Sequence, residues 1–532
     1  MRETSATDRL PGPGGAWLAA IIVVAISLLS TFSLENPQTT SALDNGGPGG
    51  DGPALPLDLE EQDHEAFSEG RQEERSQHGG GSRVVTEEGG QATTEGGQAG
   101  RSGRGSQNGS GPEGGPGQLG NYDCSKGQNA GATDVGVTPN AIHFGATVVK
   151  RGPAKSFLAD AQFGMIAAIN KKNAAGGVCG RRIALSTEDD GWEPDSGKRI
   201  IEKWVGGGKH FGLIVNPSSE GLKGALDGGL IAEKEFPVVG ADGMLIGQYQ
   251  SSWVWPVATS TYSVMHIMAR HAYEKLGARA PAIVAETNYR FGYEGLIAFR
   301  EEFKRLCKTC KIVEQEINGG QTSYKNQANR FVGSCKDGNV EFAKCDFIAL
   351  LLEPLTASQW VRDNGIGQPP RPKSFKGMGA PQPLFVTSFV RNCREPCAGL
   401  WVWTSFKPPI YPFNTEPKVA EYVRDLQRVS GGADASNPHV QGAYVGANLL
   451  IQALEALGAT PTRRGLSEQL DRMTFESGLA PPLTFKPGDH FAAVSAQAFE
   501  AIFAGKSFSN WQHAASFLTD QSVEADLEKL EP

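Results

Sequence analysis

Residues 163–194 read FGMIAAINKKNAAGGVCGRRIALSTEDDGWEP. Phe163, Met165, Ile166 and Ile169 recur at helical spacing, which predicts a helix with one apolar face. Asn170 to Asn173 is polar. Gly176 and Gly177 then stop the helix, because glycine accepts the left-handed geometry of a helix C-terminus. Residues 182–187 alternate as a strand does and deliver two acids, Asp189 and Asp190, to its end. A helix, a turn and a strand in this order form one unit of an α/β sheet. In such sheets ligands gather beyond the strand ends.

The same alternation runs along the chain. An apolar strand is predicted over 141–149, followed by the loop KRGPAKSF and the helix above. A helix over 196–205, a buried strand over 211–215, the loop NPSSEGL, a helix over 225–234 and a short strand over 236–239 complete a βα series. After the Trp/Pro-rich passage SSWVWPVATSTYS the order repeats. It gives a helix over 264–276, a strand over 281–286, the loop TNYRFGYEG and a helix over 296–305. Strands are predicted over 345–352 and 385–389, irregular chain over 473–482, and a helix over 493–503. Alternating elements of this kind imply parallel sheets with helices on both faces. Two such halves imply two lobes, and a cleft between lobes is a common place for a small-molecule site. Trp253 and Trp255 are expected at the lobe junction.

Composition sets the limits of the folded part. Residues 35–123 are dominated by Gly, Ser, Gln and Glu with almost no aromatics, which predicts a disordered linker. The formal net charge of -9, with no basic stripe and interleaved aromatics, sets nucleic acid aside as a partner. Residues 17–34, WLAAIIVVAISLLSTFSL, carry no charge. A helix of that length spans about 27 Å, close to the thickness of a bilayer's hydrocarbon. The run reads as an uncleaved membrane anchor, or as a signal peptide, although no clear small-x-small cleavage site follows. No cysteine stands just after it, so a lipoprotein anchor is not available.

All eight cysteines lie downstream. An even number after an export segment points to disulfides and an oxidising compartment. Cys307/Cys310, Cys335/Cys345 and Cys393/Cys397 are close in sequence, which by elimination leaves Cys124 with Cys179. Sequence alone does not prove that connectivity. A redox motif or half a zinc site is the alternative for Cys307-Lys308-Thr309-Cys310. No second CxxC or His pair stands at zinc-finger spacing, and the motif ends a charged helix instead of opening one.

Enzyme readings find little support. PSSEG resembles a nucleophile elbow, but Pro217 replaces the glycine that permits the strained turn, which counts against Ser219 as a nucleophile. No phosphate-binding glycine loop and no HExxH occurs. His439 and His490 are isolated. Asp189 and Asp190, adjacent on a strand end, would point to opposite faces. They read as turn formers more readily than as ligands. No cofactor and no metal site is expected.

Taken together, residues 141–503 resemble the extracytoplasmic solute-binding proteins of the branched-chain amino-acid (leucine/isoleucine/valine) type. The resemblance rests on AAINKKNAAGGVCGRRIALSTEDDGWEP, FGLIVNPSSEGL, FPVVGADG and YRFGYEG in that order. It implies a type I periplasmic-binding fold: an α/β clamshell of two lobes, each a mainly parallel sheet with helices on both faces, joined by three crossovers. It also implies capture of a small solute for an ABC permease. Matched to the family's motifs, the ligand contacts would be Phe157, Ser218, Ser219, Ala241 and Asp242 from one lobe, and Tyr289, Phe291 and Glu353 from the other. Glu353 would be an ammonium partner. Asp242 stands where the family often has a small or hydroxyl residue, and an acid there would repel a substrate carboxylate. Each residue also has a simpler reading. Ser218 or Ser219 can be a helix N-cap, Phe157 and Phe291 can be packing aromatics, and Asp242 can be a surface loop acid or a recogniser of cationic groups.

The expected organisation is a short tail over 1–16, the apolar segment 17–34 and the linker 35–123. The first lobe takes 124–260 and about 404–484, the second 261–403 and about 485–515, with a tail over 516–532. The expected function is delivery of an amino acid, amide or small organic acid to a permease by a surface-anchored monomer. A ligand-sensing ectodomain of the same fold and a secreted hydrolase are the alternatives. As a flexible coil the linker would reach on the order of 50 Å. It would serve as a tether to a nearby permease, or as a plain wall-spanning spacer.

Overall fold

The computed structural model describes residues 122–215, 217–337, 344–364 and 373–520. The apolar run 17–34 and nearly all of the linker 35–123 lie outside them. Among the described residues no helix is long and apolar enough to cross a membrane.

Two sheets carry the fold. The first contains β1 (Ala141–Val148), β2 (Arg182–Asp189), β3 (Gly212–Ile214), β4 (Val238–Ala241) and β5 (Val254–Pro256), in the spatial order β2-β1-β3-β4-β5 and parallel throughout. The second contains β6 (Pro281–Glu286), β7 (Val313–Ile317), β8 (Phe347–Leu351), β9 (Gly377–Ala380) and β10 (Leu400–Thr404) as parallel neighbours. The two-stranded ribbon β11 (Thr474–Phe475) and β12 (Leu483–Thr484) stands apart. β13 (Ser495–Ala504) and β14 (Ser507–Thr519) form a hairpin that adds antiparallel to β10 and completes the order β14-β13-β10-β9-β8-β6-β7.

The chain passes between the lobes three times. It leaves the first sheet after β5 and returns after β10 to add the helices Pro417–Gln427, Pro438–Leu457 and Arg463–Leu470. It crosses again after β12 to form β13. The returning helix Pro438–Leu457 packs against the helix Ala161–Ala174 at Gly164, where an added Cβ would stand 1.9 Å from the Val440 carbonyl oxygen. Only a glycine admits that approach. It fixes Asn437 and His439, at the start of the later helix, beside the loops of the first sheet.

The Gly-Gly turn is held by Arg181. This buried guanidinium donates to the carbonyls of Gly131, Thr138 and Ala459 at 2.7–3.1 Å. All eight cysteines are paired as expected: Cys124–Cys179, Cys307–Cys310, Cys335–Cys345 and Cys393–Cys397. The first of these ties the start of the domain to the same turn.

Several expected elements change. The helix expected over 493–503 is strand β13. Its alanines favour a helix locally, but pairing with β10 and β14 overrides that preference. The strand expected over 385–389 is replaced by the helix Thr387–Cys393, and the strand in this part of the sheet is the glycine-rich β9. A Cβ on Gly379 would lie 2.8 Å from Met268 Sδ, so β9 carries a single long apolar side chain, Met378, to advertise it. The RFGYEG segment is not a loop. It opens the helix Arg290–Leu306, and a Cβ on Gly292 would lie 2.1 Å from the Glu286 carbonyl oxygen. The helix expected over 225–234 breaks at Gly229 (φ 69°) into Ser219–Asp227 and Leu230–Glu233. β4 runs two residues later than expected. β14 continues to Thr519, past the point where a tail was expected. Trp255 is not at the lobe junction but in the first lobe's core, where its Nε1 donates to Asp471 Oδ1 at 2.9 Å.

Candidate functional site

The site is built from segments that leave the carboxyl ends of the parallel strands, the usual position in such sheets. β2 ends in Asp189 and Asp190, whose side chains diverge. Asp189 faces outward and pairs with Arg151 at 3.0 Å. Asp190 is fully buried, and its Oδ1 accepts from the Trp192 amide and from Ser218 Oγ, each at 2.8 Å. This is the turn-forming role, and it also sets Trp192. That residue takes φ 66°, a left-handed conformation that bulky side chains avoid. The Asp190 bond and the ring contacts around the indole hold it there.

Trp192 is the centre of the aromatic cluster. Its ring centroid lies 5.8 Å from Phe157, edge to face, and its Nε1 donates to Ser219 Oγ at 3.2 Å. From the second lobe Tyr289 approaches to 4.4 Å and Phe291 to 5.7 Å. Phe157 and Trp192, carried by the first lobe, therefore belong to the same apolar cluster as the second lobe's core. The lobes are closed on each other.

Two carboxylates cross the gap in opposite directions. Glu220, in the first turn of the helix Ser219–Asp227, accepts from the backbone amides of Arg290 and Phe291 at 2.7 and 3.4 Å. Glu294, on the helix Arg290–Leu306, accepts from the Ile246 amide at 3.0 Å and from Arg290 Nε at 2.8 Å. Each acid meets the first amides of a helix on the other lobe, where unpaired N–H groups and the helix dipole favour a negative charge.

The remaining expected contacts divide. Ser218 stands at the N-cap of its helix, but its hydroxyl serves Asp190 and does not cap. Asp242 accepts from the Met244 amide and from Gln248 Nε2 through Oδ1. Ala241 is not in a loop. It ends β4 and lies in a core cluster with Trp204 and Leu222. Glu353 is buried, and both its oxygens accept from the first amides of its own helix, those of Leu355 and Thr356. It therefore acts as a cap. Behind it Glu286 accepts from the Glu353 amide at 2.8 Å and from Thr356 Oγ1 at 3.2 Å.

These acids are costly to ionise. Burial pushes Asp190 up to about 6, Glu220 and Asp242 to about 7, and Glu286, beside Glu353, to about 8. Burial also raises Glu294 and Glu353. His439 moves the other way, down to about 3, for the same reason. Among the described residues no group of metal-ligating side chains forms.

The sequence model of the periplasmic binding protein family matches residues 141–506. The chain belongs to this family. The match spans the whole first sheet, the second sheet apart from its edge strand β14, and every residue of the cleft described above. A search of curated proteins returned no match. Among solved structures, the fatty acid ABC transporter substrate-binding protein of Thermomonospora curvata is 17% identical with a TM-score of 0.60, covering 74% of this chain and 96% of its own. The branched-chain amino acid transporter substrate-binding protein LivJ of Streptococcus pneumoniae, solved with isoleucine, is 15% identical with a TM-score of 0.57, covering 71% and 100%. The leucine binding protein LivK of Thermotoga maritima gives 15% and 0.57, covering 70% and 98%. At these identities the likeness establishes the two-lobed type I periplasmic-binding fold.

Residue-by-residue reading missed the interlobe contacts of Trp192, Glu220 and Glu294. The one signal for Trp192 was its place just beyond a strand end, where ligands gather in such sheets. Glu220 and Glu294 show their role only once a second lobe faces them.

Proposed function

We propose that this chain is an extracytoplasmic solute-binding protein that captures a small polar or amphipathic solute between its lobes and delivers it to an ABC permease, without bond chemistry. The observation that carries this reading is the interlobe contact of Trp192 with Tyr289, flanked by the Glu220 and Glu294 bonds. Aromatic walls and helix N-termini from both lobes converge where a solute would be enclosed, and opening those contacts is a hinge-type transition. Phe157, Ser219, Asp242, Tyr289 and Phe291 are the expected residues nearest that space. The relatives' own ligands differ, isoleucine in one and fatty acid by name in another, so the fold does not specify the solute. The apolar run 17–34 and the linker after it support a membrane-attached, surface-displayed protein.

A thermal-shift screen against amino acids, amides and small organic acids tests binding, because a ligand that binds only the folded state raises Tm. No shift with any class overturns the reading. Gene neighbourhood tests delivery: a permease and an ATPase beside the gene support transport.

A further inference from the structure

Beyond the aromatic cluster, towards the crossovers, lies a second small space. It is lined by Pro217, Gly240 and Asp242 of the first lobe, Gln382 of the second, Phe406 after β10, and His439 at the start of the helix Pro438–Leu457. Its free volume is about 10 Å³. That is the size of one water or one small polar head group.

The polar atoms around it are unmatched. Gln382 Oε1 and both ring nitrogens of His439 are buried with no hydrogen-bond partner among the described residues, and Asp242 Oδ2 makes no hydrogen bond of good geometry, although Ser219 stands beside its carboxyl group. Gln382 is 4% exposed and His439 3%. Each unsatisfied buried polar group of this kind costs about 1–3 kcal/mol, so their convergence on one space is unlike ordinary packing. Acceptors outnumber donors among them. A carboxylate oxygen and an amide oxygen only accept, and neutral His439 offers one acceptor and one donor. A ligand carboxylate would meet two acceptor oxygens, and its charge would further oppose ionisation of Asp242. A primary ammonium presents three N–H donors on an atom of the size the space admits, and its charge offsets the penalty of burying Asp242.

The wider cleft favours the same sign. Asp190, Glu220 and Glu294 are buried within it, and Arg290, which bonds Glu294, is its one cationic partner in those contacts.

We infer that the space between Asp242, Gln382 and His439 is a head-group pocket for a primary ammonium, and that the solute is an amine without a carboxylate next to it. This rests on the solute-binding reading above and narrows its substrate class. The apolar remainder of the amine would extend towards Trp192, Tyr289 and Phe291.

The test is a thermal shift of the full chain with n-butylamine, 2-phenylethylamine and 1,4-diaminobutane, against butanoate, 3-phenylpropanoate and leucine. Amines that raise Tm while the acids do not is the expected result. Asp242→Asn and Gln382→Leu should each weaken the amine response at least tenfold in concentration. Circular dichroism of both variants confirms that they fold, and His439→Gln, which keeps an acceptor, should retain part of the response. Shifts by the acids or leucine alone overturn the ammonium pocket and leave solute binding standing. No shift by any compound overturns both. An amine response unchanged in Asp242→Asn and Gln382→Leu overturns the location.

Discussion

Glu220 Oε1 of the first lobe lies 2.7 Å from the backbone nitrogen of Arg290, in the first turn of a second-lobe helix. The reciprocal bond, from the Ile246 amide to Glu294, lies on the same seam at 3.0 Å. Both lobes therefore present an acid to a helix N-terminus on the partner lobe. The pair holds the closed form through backbone amides, whose positions follow from the helices themselves.

Removing one arm should open the clamshell. Hydrogen bonds to charged groups contribute about 1.5–3 kcal/mol each, and about 1.4 kcal/mol is tenfold in an equilibrium. Glu220→Ala should shift the closed-to-open ratio by about tenfold or more, read as a larger radius of gyration in solution scattering. Glu220→Gln keeps one acceptor oxygen and should stay nearer the parent.

Trp192 reports the cleft. Its ring contact with Tyr289 crosses the lobes, so a solute that separates them changes the indole's surroundings. Ligand addition should change tryptophan emission, and Trp192→Phe should remove most of that change while the other eight tryptophans remain.

Stability should fall as pH rises through neutrality. Glu286 is raised from 4.5 to about 8 by burial and by Glu353, so the folded state binds its proton more tightly than the unfolded chain does. Its contribution is complete below the unfolded value and is lost as pH rises through the folded one. The urea midpoint should be higher at about pH 5 than at about pH 9, and Glu286→Gln, which mimics the protonated acid, should flatten the slope.

The disulfides should differ in weight. Cys124–Cys179 closes a loop of sequence separation 55, whereas Cys307–Cys310 closes one of 3. The chain-entropy relation gives about 4 kcal/mol for the first and below about 2 kcal/mol for the second. Urea unfolding of the paired Cys→Ser variants should rank them in that order.

The family, the two-lobed α/β architecture and the three short-range cysteine pairs were legible because they rest on local signals, whereas Cys124–Cys179 followed only by elimination. Those signals are helical and strand periodicity, the Gly-Gly turn before Arg181 and the close spacing of the other cysteines. Local signals failed where a neighbour decides. The alanines of β13 become a strand because β10 and β14 pair with them, and β9 is nearly silent because Gly379 lies against Met268. The motifs pointed to Phe157, Ser219, Asp242, Tyr289 and Phe291, and the structure brings these side chains to one region, where contact with a solute is the proposal made above. The motifs pointed to Glu353 as well, but its carboxylate is taken by its own helix. What only the tertiary structure decided is the pairing across the cleft: Trp192 on Tyr289, Glu220 on Arg290, and Gln382 facing Asp242 and His439. Those residues are far apart in sequence and carry no shared pattern. Their meeting depends on how the two lobes face each other, and nothing in the periodicity of either lobe encodes that.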